Sequence, residues 1–64
     1  MRPLIEILED ERVLTHKLES IFRYMVRTDD LETINILRIK RDRIADDLDK
    51  TKNELREYIA GLLE

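Results

Sequence analysis

From Leu4 onward the apolar positions advance in alternating steps of three and four: Leu4, Ile7, then the polar Glu11, then Leu14, Leu18, Ile21 and Met25. That spacing keeps one face of an α-helix apolar over about six turns and predicts a first helix over roughly residues 3–27. Pro3 suits its first helical position, where a missing N–H leaves no hydrogen bond unmade. A second run follows the same rule through Ile34, Leu37, Arg41, Ile44, Leu48, Thr51, Leu55, Tyr58 and Leu62 and predicts a second helix over roughly 31–63.

No Pro or Gly separates the two runs, so a single long rod is the alternative. The phase of the pattern argues against it. The first seam places its equivalent positions at 4, 11, 18 and 25 and would next fall at 32, whereas the second begins at Ile34. A slip of two residues is neither of the insertions of three or four that a continuous coiled coil absorbs. A turn at about 28–30 explains it. There the sequence reads Arg27-Thr28-Asp29-Asp30, so Thr28, Asp29 or Asp30 is available as a helix cap, and Asp29 with Glu32 has capping-box spacing. The fold class is therefore all-α, an antiparallel two-helix hairpin with coiled-coil-like packing, and residues 1–64 form a single domain.

Folding the chain about the turn sets Met25 against Ile34, Phe22 against Leu37, Leu14 against Ile44 and Leu4 against Leu55. Past Leu55 the first helix has ended, yet Tyr58, Ile59, Leu62 and Leu63 continue for on the order of 10 Å of apolar helix. On the first helix, Leu8, Phe22 and Val26 widen the stripe to an arc of about 140°, more than one helix neighbour covers. Two hairpins packed as a four-helix bundle supply the missing neighbours. The expectation is a homodimer, with a trimer or larger assembly as the fallback. Its interface draws on Leu8, Leu18, Phe22, Met25, Val26, Tyr58, Ile59, Leu62 and Leu63. In hairpins that run opposite ways, the overhang of one covers the loop end of the other.

Size leads the same way. A chain of 64 residues seldom builds more than about 3–5 kcal/mol from one core without a staple. It has no cysteine and one histidine, which excludes a disulfide and leaves structural zinc without its usual ligands. Equal charged and hydrophobic fractions of 42%, with one Gly and one Pro, suit long amphipathic helices. The formal net charge of -3 gives no overall attraction to nucleic acid or anionic lipid. No apolar run approaches the roughly 18 residues of a membrane span, and the amino terminus lacks a signal-peptide core. The expected location is the cytoplasm, with an intact native start.

Candidate chemistry is sparse. Arg38, Lys40, Arg41 and Arg43 crowd into six residues, but at about 100° per residue they encircle the helix, whereas a phosphate-tracking surface gathers its cations on one face. Asp42, Asp46 and Asp47 stand at helical spacing to neutralise Arg38 and Arg43. Arg41 differs, because it interrupts the second seam as Glu11 interrupts the first. Within one hairpin the two differ in height by roughly 10 Å, so they are poor direct partners but can meet across a dimer and set its register. Otherwise both snorkel from the edge of the seam.

Asp42, Asp46, Asp49 and Asn53 share a face that could dock a basic partner, and Ile36 with Ile39 forms an apolar shoulder beside the turn. The residue three before His16 is Val13, not the Glu of a carboxylate di-metal bundle, and neither a catalytic triad nor a Gly-rich phosphate loop is present. No enzyme activity, cofactor, metal site or small-molecule substrate is expected. In outline the hairpin resembles small RNA-binding hairpin dimers such as the plasmid copy-number regulator Rop, with no matching residues, and outline does not determine function. The favoured reading is a non-catalytic helical interaction or scaffolding module that acts as a homo-oligomer. Two others stand beside it: a nucleic-acid-binding regulator in which Arg38, Lys40 and Arg43 join a basic surface formed in the dimer, and a hairpin that captures an amphipathic helix of another protein.

Overall fold

The computed structural model describes residues 2–63, which form two α-helices, α1 (Leu4–Arg27) and α2 (Leu31–Leu63), packed against each other as a hairpin. The molecule measures 50 × 15 × 15 Å. Its long dimension is that of α2, whose 33 residues span about 50 Å at 1.5 Å each. With 24 residues α1 reaches only about 36 Å, which leaves the last turns of α2 without a helix opposite.

Pro3 stands one place earlier than the sequence pattern puts it. It is the N-cap of α1, with φ -58° and an extended ψ of 146°, and its carbonyl accepts from the N–H groups of Glu6 and Ile7 at 3.1 and 3.2 Å. The ring keeps the φ a cap tolerates, while the carbonyl begins the helical ladder.

The turn works without glycine because the backbone never enters the left-handed region; no described residue has a positive φ. Thr28 ends α1 in an extended conformation, φ -97° and ψ 139°, and its N–H still reaches the Tyr24 carbonyl at 3.1 Å. The next helix starts on Asp30. Its carboxylate accepts from the Glu32 N–H at 3.2 Å and from the Thr33 hydroxyl at 2.7 Å, and its carbonyl takes the Ile34 N–H at 3.0 Å. The cap is thus Asp30, not the Asp29–Glu32 capping box that the spacing suggests; moving the helix start by one residue gives the role to the next aspartate. Thr28 Oγ1 accepts weakly from the Asp30 N–H at 3.4 Å, which holds the loop against its own cap.

Between the helices, Leu4, Ile7, Leu14, Leu18, Ile21 and Met25 of α1 are turned inward with Ile34, Leu37, Ile44, Leu48, Leu55 and Tyr58 of α2. Only Ile7 and Leu48 among the apolar residues are fully buried, and Thr51 joins them. The Thr51 hydroxyl is satisfied inside its own helix, donating to the Asp47 carbonyl at 2.9 Å, so burial leaves no polar group unmade. A two-helix hairpin covers each seam from one side only. The rest of the seam is therefore half-buried.

Candidate oligomerisation surface

The two broad faces of the hairpin differ in character. One is polar and is organised by Arg2, whose guanidinium reaches from the start of α1 to Glu54 of α2, with Nε to Oε2 at 2.8 Å and Nη2 to Oε1 at 2.9 Å. Its third nitrogen bonds Asp10 and lies 3.6 Å from Glu6. The bidentate grip on Glu54 matches the planar fork of arginine. These hydrogen bonds, that to Glu54 first and that to Asp10 second, hold the guanidinium well above its ordinary pKa. The arginine accordingly stays charged at any working pH. Lys17, Asp47 and Lys50 border the same shallow groove.

Sequence patterning did not single out Arg2. Its i,i+4 relation to Glu6 was visible, and the hairpin register places Glu54 within a turn or so of the level that an arginine stem can reach; together these were the available signal.

The opposite face is mixed, with several exposed apolar side chains and Lys52 among them. Reckoned from the seam at about 100° per residue, Leu8, Thr15, Phe22 and Val26 lie on the flank of α1 away from Asp10 and Lys17. On α2, Ala45, Ile59 and Leu63 lie on the flank away from Asp47 and Glu54. In an antiparallel pair, flanks of the same rotational sense fall on the same side, so these residues share one face. Leu8, Phe22 and Ile59 on it are about half exposed, Val26 is 87% exposed and Leu63 is 84% exposed.

Of the residues assigned to an interface from the sequence, Leu18, Met25 and Tyr58 are half-buried within the hairpin, and Leu8, Phe22, Val26, Ile59, Leu62 and Leu63 are exposed. Leu31, exposed beside the loop, belongs with the second group and was not singled out, because it falls off the seam of α2.

Glu11 and Arg41 both sit part-exposed in the seam. Arg41 turns to the adjacent Asp42, with Nη2 3.2 Å from Oδ1, so among the described residues Asp42 pairs with Arg41 and not with Arg38. Exposed Arg38, Lys40 and Arg43 remain distributed around the helix, and Ile36 and Ile39 form an exposed apolar pair near the turn. Asp42, Asp46, Asp49 and Asn53 are exposed. Among the described residues, no group of three or more His, Cys, Asp or Glu side chains is placed to hold a metal ion, and no helix is long and apolar enough to cross a membrane. The chain matches no family model, and no curated protein or solved structure is detectably similar to it.

Proposed function

We propose that this chain is a non-catalytic helical interaction module that assembles with copies of itself, each hairpin contributing two helices to a four-helix bundle. The carrying observation is its surface. A compact monomer of 7.7 kDa exposes about 4,300 Å². This hairpin exposes 5359 Å², and its radius of gyration of 14.8 Å exceeds the roughly 11 Å of a globular chain of its length. The excess, on the order of 1,000 Å², is comparable to the roughly 800 Å² that each partner buries in a stable interface. Of its exposed large apolar side chains, Leu8, Phe22, Val26, Ile59, Leu62 and Leu63 fall on one face and one end, while Ile5, Val13, Tyr24, Leu31, Ile36 and Ile39 are exposed elsewhere.

Scaffolding or helix-face docking is the mechanism such a module offers: the apolar faces close the bundle, and the charged outer faces, with the Ile36/Ile39 shoulder, are presented to a protein partner. A nucleic-acid-binding role has less support, since the exposed cations of α2 do not align and the acidic side chains outnumber the basic by 15 to 12.

Light scattering behind a sizing column, over a concentration series, tests the proposal. A mass of two or more 7.7 kDa chains that persists on dilution to micromolar concentration is expected. A folded monomer throughout overturns self-assembly and makes the exposed end of α2 a surface for a different helix.

A further inference from the structure

The apolar face and the bare end of α2 do not by themselves say how two hairpins are oriented, but the charges do. Dividing the molecule at the middle of α2 gives a loop-side half, residues 12–46, with eight basic and six acidic side chains, net +2. The open-end half, residues 1–11 and 47–64, has four basic and nine acidic side chains, net -5. The hairpin thus has a positive loop-side half, its cations gathered toward mid-length at Arg12, Lys17, Arg38, Lys40, Arg41 and Arg43, and a negative open-end half; the turn region itself, residues 22–37, holds two basic and three acidic side chains. Helices in a bundle lie about 8–10 Å apart, close to the screening length of about 8 Å at physiological ionic strength, so this polarity is felt between neighbours. A parallel pair sets -5 beside -5. An antiparallel pair sets each positive loop half beside a negative open half.

The two polar residues of the seams add an independent argument. Counted from the loop at about 1.5 Å per residue, Glu11 stands about 26 Å up the hairpin and Arg41 about 17 Å. A parallel partner preserves that mismatch of about 9 Å. An antiparallel partner whose loop reaches Ala60, about 45 Å up α2, places its own Arg41 about 28 Å up, within about 2 Å of the level of Glu11. Both residues lie on the apolar side of the seam, so the two pairs of a symmetric dimer would face the bundle interior. The same offset sets the overhang residues Ile59, Leu62 and Leu63 of one chain over the partner's loop end, where Phe22, Val26 and Leu31 are exposed.

We propose that the occupant of the apolar face is a second copy of this chain running antiparallel, with its loop over the first copy's overhang and Glu11 of each chain paired with Arg41 of the other. The inference rests on the self-assembly proposed above. The protein has no cysteine, so a single substitution gives a single labelling site.

Asp29→Cys, in the exposed loop and outside the Asp30 cap, carries a nitroxide for interchain distance measurement by pulsed electron spin resonance. The antiparallel arrangement places the two loops nearly a molecular length apart, at a principal distance of about 45 Å by the helical rise. A principal distance below about 30 Å overturns the orientation while leaving self-assembly intact. A monomer gives no interchain signal and overturns both. An equimolar mixture of Asp29→Cys and Glu57→Cys chains reads the opposite way: a new short distance below about 30 Å supports the antiparallel pair, and its absence in a mixture that exchanges subunits overturns it.

Discussion

Replacing Leu62 and Leu63 together by Ser separates a bundle from a free hairpin, because these side chains are exposed in the hairpin and covered only in an assembly. Leu62 is 69% exposed and Leu63 84% exposed. Fully burying a leucine is worth about 2 kcal/mol, so covering these fractions contributes about 1.4 and 1.7 kcal/mol, or about 3 kcal/mol per chain. A symmetric dimer buries both ends and loses about 6 kcal/mol in the variant, equivalent to a rise in dissociation constant of about 10⁴-fold. Incomplete burial reduces the figure, yet half of it still leaves about 10²-fold. The same substitutions remove little from the isolated hairpin, since exposed sites generally change stability by less than about 0.5 kcal/mol. Sedimentation equilibrium over a dilution series measures the dissociation constant, and circular dichroism in parallel reports helicity. A dissociation constant within about tenfold of the wild type refutes the covering of the overhang, because so small a change leaves less than about 1.4 kcal/mol for four leucines.

Three further outcomes follow from particular contacts. Asp30→Ala removes the side-chain cap of α2 and should lower unfolding stability by about 1 kcal/mol in urea titration, whereas Asp29→Ala should leave it within about 0.5 kcal/mol; a larger loss at Asp29 than at Asp30 would return the cap to Asp29. Arg2→Ala should lower the urea midpoint in low salt, by an amount that shrinks as salt is added, and the effect should be smaller in a Glu54→Ala background, where the pairing with Asp10 and Glu6 remains but the two hydrogen bonds to Glu54 are gone. Arg41→Glu should weaken the dimer by setting like charges at one level, and Glu11→Arg added to it should restore the dissociation constant to within about tenfold of the wild type; failure of that rescue in a folded double variant argues against the paired seam residues.

The hairpin was legible because two helical registers cannot both be satisfied by one straight helix. A phase slip of two residues records a turn even where no Gly or Pro marks it, and extended Thr28 shows how the backbone turns without either. The details at the ends were less legible. Asp29 and Asp30 are chemically identical, so capping-box spacing favoured the first while the actual start of α2 uses the second. Pro3 is compatible with cap and first turn alike. The Arg2 clamp depends on a long side chain reaching across from one helix to the other, a geometry that periodicity along either helix does not contain.

The candidate surface is legible to a different degree, for a physical reason. A seam facing its own partner helix leaves a strict three-four pattern, and Ile7 and Leu48 show the end state of that pattern in burial. A flank such as Leu8, Thr15, Phe22 or Ala45, Lys52, Ile59 is weaker and mixed, as expected of a surface that, in the proposed assembly, meets a second molecule at the edge of a bundle where polar residues are tolerated. Charge fills part of that gap. Apolar pairing tolerates either orientation of two similar hairpins, and it is the separation of +2 from -5 along the rod, together with one acid and one base at unequal heights in the seams, that distinguishes them. In the proposed assembly stability and orientation are thus assigned to different residues, which is why substitutions at Leu62 and Leu63 are expected to change how tightly the chains associate, whereas reversals at Glu11 and Arg41 test which way they run.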